Sequence, residues 1–164
     1  MDGYFFILNA PGNNLVANSG FENNEYTNTP TGWTTWLSRG TTASTIKTES
    51  RFVYDGNYNL TFWNVADYSG SIYQDIKNLS KGTYTLSVWV TSGGNQKECQ
   101  IYAKNYGGNE LDTDVPLSDT GWVKVQIKNI KVTNGTCQIG LYTVANAGNW
   151  CSADNFSLRK VLDS

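Results

Sequence analysis

The stretch Gly82-Thr-Tyr-Thr-Leu-Ser-Val-Trp-Val-Thr91 decides the fold class of this chain. Tyr84, Leu86, Val88 and Val90 share one parity, and Thr83, Thr85, Ser87, Trp89 and Thr91 share the other. Successive side chains of a strand point to opposite faces, so the segment reads as a half-buried β-strand with an aliphatic core face. Lys81-Gly82 before it and Gly93-Gly94 after it are turn signals. Trp89 falls on the hydroxyl-rich face, where core packing does not account for a large ring.

The same alternation recurs on both sides of this strand. Further strands are expected at Asn14–Val16, Ser44–Thr48, Tyr58–Phe62, Ser71–Ile76, Glu98–Lys104, Trp122–Ile127, Gln138–Thr143 and Asn155–Arg159. Asp55-Gly56, Gly107-Gly108, Thr120-Gly121 and Asn134-Gly135 mark turns between them. No segment sustains a helical apolar period. Short alternating runs with a turn about every ten residues are the pattern of a sandwich or barrel. The segment Asn23–Arg39, with Pro30 and Gly32, reads as a long ordered loop. The expected fold is one all-β domain with no internal repeat.

Strand parity also sorts the aromatic residues. Leu60 and Phe62 point inward, as do Cys99, Ile101 and Ala103, and Ile139 and Leu141. That leaves Trp63, Trp89, Tyr102 and Tyr142 outward on four strands, beside Gln100 and Lys104. A pyranose ring stacks its flat C–H face on an aromatic ring, and its hydroxyls bond to amide and ammonium groups in the ring plane. One aromatic, amide-lined sheet face is therefore expected. Its rim is expected in the loops Lys104–Glu110 and Asn146–Trp150, where Asn105, Tyr106, Asn149 and Trp150 supply donors and rings. Glycines there permit close backbone approach. Lys104, Asn105 and Asn149 are the candidate hydrogen-bonding groups of these loops.

Composition removes several other functions. Charged residues make up 16% of the 164 and aromatics 13%, with nineteen Asn and sixteen Gly; amides and hydroxyls replace the usual ~25% charge. A net charge of −2 without any Lys/Arg run lacks the footprint of a nucleic-acid binder. No apolar stretch reaches the ~18 residues of a membrane span. Met1-Asp2-Gly3 supplies no basic region for a signal peptide, so the chain reads as a mature piece of a longer secreted protein. Histidine is absent, which excludes His-dependent nucleophiles and His-ligated metals. With three cysteines at least one is free, and Cys99 and Cys137 fall on core parity.

Two sets of acids remain. Glu110-Leu-Asp112-Thr-Asp114 places carboxylates two apart, ~6 to 7 Å on one strand face, which is compatible with a glycosidase pair. The surroundings are not apolar enough to raise either pKa, and the segment reads as an exposed connection. The second set is Glu22, after the first expected strand, and Asp154, at the start of the last. Two carboxylates plus backbone carbonyls suit Ca²⁺, although two ordinary surface acids would look the same.

The opening Asn14-Leu-Val-Ala-Asn-Ser-Gly-Phe-Glu22, the pair Gly32-Trp33 and the closing Ala153-Asp-Asn-Phe-Ser-Leu158 resemble carbohydrate-binding modules of the galactose-binding-like jelly-roll superfamily. Phe62-Trp63, Ser71-Ile-Tyr-Gln74, Gly82 to Trp89, Ile101 to Gly108 and Ala145-Asn-Ala-Gly-Asn-Trp150 are similar to the family 61 modules attached to bacterial endo-β-1,4-galactanases, which bind β-1,4-galactan. The resemblance covers the chain after about residue 13. Residues 1–13 are then an N-terminal extension or linker remnant, and 14–164 the module. It implies a jelly-roll β-sandwich of two antiparallel sheets and a structural Ca²⁺ away from the sugar site. Matching positions make Glu22 and Asp154 its ligands, with Asn18 and a carbonyl near Gly56-Asn57 as weaker candidates. The implied role is non-catalytic: a secreted, monomeric module holding an appended glycoside hydrolase on galactan. Xylan or β-glucan as ligand, a small glycosidase or lyase, and an inert adhesion sandwich are the competing readings.

Overall fold

The computed structural model describes residues 12–162. The expected extension over 1–13 therefore lies outside the described residues, apart from Gly12 and Asn13. Among the described residues ten strands form two five-stranded antiparallel sheets. The front sheet holds β1 (Thr34–Leu37), β4 (Tyr68–Ile76), β9 (Cys137–Ala145), β6 (Glu98–Lys104) and β7 (Leu111–Asp114), in the order β1-β4-β9-β6-β7. The back sheet holds β2 (Ile46–Glu49), β3 (Asn59–Trp63), β10 (Trp150–Lys160), β5 (Gly82–Ser92) and β8 (Val123–Val132), in the order β2-β3-β10-β5-β8. Among the described residues the one helical element is the 3₁₀ turn Ala43–Thr45 that leads into β2.

The aliphatic parity of β5 is the core face. Leu86, Val88 and Val90 are wholly buried and Tyr84 nearly so. They meet Ile72, Ile101, Ile139 and Leu141 of the front sheet, and removing this apolar surface from water drives the two sheets together. Residues between Asp154 and Ser157 in β10 shift the pairing with β5, and Asn155 takes a φ of 51°. This bulge turns Phe156 inward under Phe21 and Trp33, at ring-centroid distances of 6.1 and 4.8 Å. The N-terminal segment is thereby sealed to the sandwich. All three cysteines are buried and free. The neighbouring Cys151 thiol lowers the Cys99 pKa, while burial pushes the Cys137 thiol up to about 12.

Three expected features differ. Asn14–Val16 is not a ladder strand: Leu15 N–H donates to Leu158 O at 3.0 Å, and the Asn14 side chain supplies the flanking bonds, donating to Phe156 O and accepting from Leu158 N–H. The loop Asn23–Arg39 contains β1, which pairs with β4. The connection after Glu110 contains β7, which pairs with β6. Both missed strands are four-residue edges of the front sheet. An edge strand has one partner and needs no long apolar run, so periodicity does not reveal it.

Candidate functional site

Register builds the outer face of the front sheet row by row. One row across the strands is Trp36, Ser71, Tyr142, Gln100 and Asp114; the next is Thr34, Tyr73, Gly140, Tyr102 and Asp112. A third carries Asp75, Gln138 and Lys104. Eight residues of these rows, Trp36, Ser71, Tyr73, Gln100, Tyr102, Lys104, Gln138 and Tyr142, line a groove of about 550 Å³ together with Glu110. Trp36 is 47% exposed, and its ring lies 6.5 Å from that of Tyr142 at an interplanar angle of 30°. The Lys104 ammonium sits 5.3 Å from the Tyr102 ring centre, a cation–π distance.

Gly140 makes the floor possible. A Cβ there would stand 2.3 Å from Ile72 O and 2.7 Å from the Tyr102 hydroxyl oxygen. Lacking one, Gly140 lets the Tyr102 ring lie across β9, so that its hydroxyl meets Ser71 Oγ at 3.1 Å. Gln138 Nε2 donates to the same hydroxyl at 3.3 Å, and Asn105 Nδ2 donates to Gln138 Oε1 at 3.4 Å. The chain Asn105–Gln138–Tyr102–Ser71 therefore crosses the groove floor and holds its polar groups in place before any ligand arrives. Burial raises the Tyr102 hydroxyl pKa, so it stays protonated and able to donate. Desolvation at the rim, followed by the charge of Asp112, raises the pKa of Glu110. This corrects the expectation that nothing there could raise it.

The four outward rings do not share a face. Tyr102 and Tyr142, with Gln100 and Lys104, belong to the front sheet and Asn105 follows β6 directly, whereas Trp63, Trp89 and Trp150 belong to the back sheet. Parity separates core from surface but does not assign a strand to a sheet. Trp89 is also covered by its own chain, since Tyr54 stacks on it at 4.2 Å and 13°. Tyr106 is 5% exposed and bonds the carbonyl of Asn109, so it is core rather than rim. Gly107 makes room for Thr133 and Gly108 for the Tyr106 ring, so neither glycine opens a path for a ligand. Asn149 closes the β9–β10 turn: its Oδ1 accepts from Asn146 N–H at 2.7 Å, and its carbonyl accepts from the Tyr68 hydroxyl. Trp36, Ser71, Tyr73, Gln138 and Gly140 were not among the predicted site residues. A glycine inside an alternating strand signals close approach of another group, and that signal at Gly140 was available.

A second cleft, of about 850 Å³, lies on the back sheet around Trp63 and Trp150. It is the larger of the two. The front groove is nevertheless the better-built site, because a bonded polar floor fixes orientation in a way that volume does not.

The predicted metal ligands meet at one end of the sandwich. Asp154 is fully buried; its Oδ2 accepts from Asp55 N–H at 3.1 Å and its Oδ1 from Asn155 N–H at 2.9 Å. Glu22 accepts from the N–H groups of Asn57 and Tyr58 at 2.7 and 2.8 Å. A Cβ on Gly20 would lie 3.7 Å from both Asp154 Oδ1 and Glu22 Cγ, so the two acids flank the same glycine. Desolvation, aided by the Glu22 charge, pushes Asp154 up to about 7 against the pull of its amide bonds. Two hard carboxylates around a buried, uncompensated charge fit an oxygen-ligated cation. Among the described residues no third acid or thiol joins them, which leaves backbone carbonyls for the remaining positions. The Asn18 side chain donates to Thr31 O and accepts from Asn23 N–H, bonds that shape the turn carrying Glu22.

Comparison with known proteins agrees with this architecture. The structure of TmCBM61 in complex with β-1,4-galactotriose superposes with a TM-score of 0.77 at 25% identity, over 90% of this chain and 99% of that one. The CBM22-1 xylan-binding domain of Paenibacillus barcinonensis Xyn10C shares the fold, with a TM-score of 0.62 at 15% identity over 94% of this chain and 99% of that one. A 1,6-alpha-glucosyltransferase of Sporosarcina globispora is 23% identical over 155 residues, 90% of this chain, which spans only 12% of that enzyme's length. A family model described as "Carbohydrate binding domain" matches residues 13–134. The chain is a carbohydrate-binding module and belongs to that family.

Proposed function

We propose that this module binds β-1,4-galactan in the front-sheet groove and is not itself a catalyst. The observation that carries this reading is the pairing of an exposed Trp36–Tyr142 platform with a bonded polar floor across β4, β9 and β6. Sugar rings stack on the platform while Gln100, Ser71 and Lys104 meet their hydroxyls. Galactose differs from glucose by an axial 4-hydroxyl; Lys104, which lines the groove, and Asn105, bonded to Gln138, are the candidates in this reading to contact it. The likeness to a galactotriose complex favours galactan. The likeness to a xylan-binding domain keeps xylan as the second reading.

The module's contribution is local concentration: it holds an appended, secreted glycoside hydrolase on its substrate, and acts as a monomer. A Ca²⁺ held by Glu22 and Asp154 would cross-link the N-terminal segment to β10 and stabilise the fold by mass action. Affinity electrophoresis against galactan, xylan and β-glucan tests the ligand. Retardation by galactan at lower polymer concentration than by xylan is expected; equal or stronger retardation by xylan overturns the galactan assignment. A reducing-sugar assay showing turnover overturns the non-catalytic one.

A further inference from the structure

The back sheet carries a feature that the front groove does not use. Trp63 and Trp150 are directly opposite each other on β3 and β10, and Trp63 is 48% exposed. Trp150 is pinned: its indole lies flat against Gly93, where a Cβ would stand 2.5 Å from Nε1, and its carbonyl accepts from Gly93 N–H at 3.2 Å. In the next row Thr61 and Ser152 bond through their hydroxyls at 2.9 Å. The cleft above these residues is walled by Arg51-Phe52 on one side and Asp119 to Trp122 on the other. Phe52 is 81% exposed and holds a φ of 54°. A left-handed backbone under a bulky side chain carries strain of the kind found at ligand clamps. The Arg51 guanidinium lies 5.6 Å from its ring centre.

We propose that this cleft is a second binding site, for a neutral oligosaccharide, on the face opposite the first. The ring pair supplies stacking platforms, and the hydroxyl floor supplies donors and acceptors at the edge of the stacked sugar. The charges around the cleft, Lys47 and Arg51 against Glu49 and Asp119, cancel, so neither an acidic nor a basic polymer is favoured. Both sheets and the core separate the two sites. A single short oligosaccharide therefore cannot fill both, and the module can cross-link two polysaccharide chains. The inference does not rest on galactan being the ligand.

The test uses Trp36→Ala/Tyr142→Ala to silence the front face, and Trp63→Ala or Phe52→Ala for the back; all but Tyr142 are well exposed, and thermal melts verify folding. Affinity electrophoresis is run on galactan, xylan and β-glucan, with turbidity of a soluble polysaccharide as the readout for cross-linking. The front-face variant is expected to keep retardation on at least one polymer, and adding Trp63→Ala or Phe52→Ala is expected to weaken it at least tenfold. Wild type is expected to raise turbidity, and either single-face variant to lose that effect. No residual binding in a folded front-face variant overturns the second site and leaves the first standing. Loss of all binding by Trp63→Ala alone overturns the placement of the first site and the existence of two. Concentration-dependent dimerisation abolished by Trp63→Ala assigns the cleft to a second copy of the chain and overturns the sugar reading.

Discussion

Replacing Trp36 by alanine separates the front-face reading from the alternatives most directly. The side chain is 47% exposed; against the ~250 Å² of a full tryptophan this leaves roughly 120 Å², about half of it on one ring face. Covering about 60 Å² with a sugar, at ~25 cal/mol per Å², contributes about 1.5 kcal/mol, or roughly tenfold in Kd. The ring lies on an edge strand, and Tyr142 is the aromatic ring beside it. The cost to folding is therefore small, and the melting midpoint should move by no more than about 3 °C. Isothermal titration of wild type and Trp36→Ala with β-1,4-galactotriose, alongside a thermal melt, measures both quantities. A Kd within twofold of wild type in a folded variant refutes the front-face platform. If Trp63→Ala then produces the tenfold loss, the site belongs to the back sheet.

Gly140→Ala should weaken binding at least tenfold and destabilise the fold by about 1–3 kcal/mol, because the new methyl meets a backbone carbonyl that cannot give way; titration together with denaturant unfolding checks this, and unchanged binding would show that the Tyr102 position is irrelevant. EDTA should lower the melting temperature of wild type and added Ca²⁺ restore it. At a hundredfold excess over Kd the gain is about 2.7 kcal/mol, or roughly 5–10 °C, and Glu22→Ala should abolish the response; a melt indifferent to EDTA removes calcium from the account. Burial holds Cys137 up to about 12 and encloses Cys99 and Cys151, so native protein at pH 8 should resist a thiol reagent and yield three thiols only on unfolding. Rapid native labelling would contradict the buried core.

Much of the fold was legible locally. The parity of β5 named its core residues, and the stretches around β3, β6 and β9 did the same, because in a sandwich one face of each long strand must leave water. The paired acids were legible as well: Glu22 and Asp154 do converge at one end of the sandwich. The edge strands β1 and β7 were not, and they carry Trp36 and the Glu110–Asp114 segment. An edge strand is held by one neighbour's backbone rather than by its own apolar pattern. Tyr106 and Asn149 were misread for a different reason: each bonds a backbone group three residues away in its own loop, and loop composition does not show that such a ring or amide is already occupied.

The sequence by itself determined that Trp63, Trp89, Tyr102 and Tyr142 point away from the core, because side-chain direction along a strand depends only on position within it. It could not determine that two of these rings lie on one sheet and two on the other. Sheet membership follows from which distant strands pair, and the front order β1-β4-β9-β6-β7 pairs residues as far apart in the chain as Tyr68 and Ala145. Only that long-range pairing set Trp36 beside Tyr142, cleared Gly140 for Tyr102, and divided the rings of one expected face between two sheets.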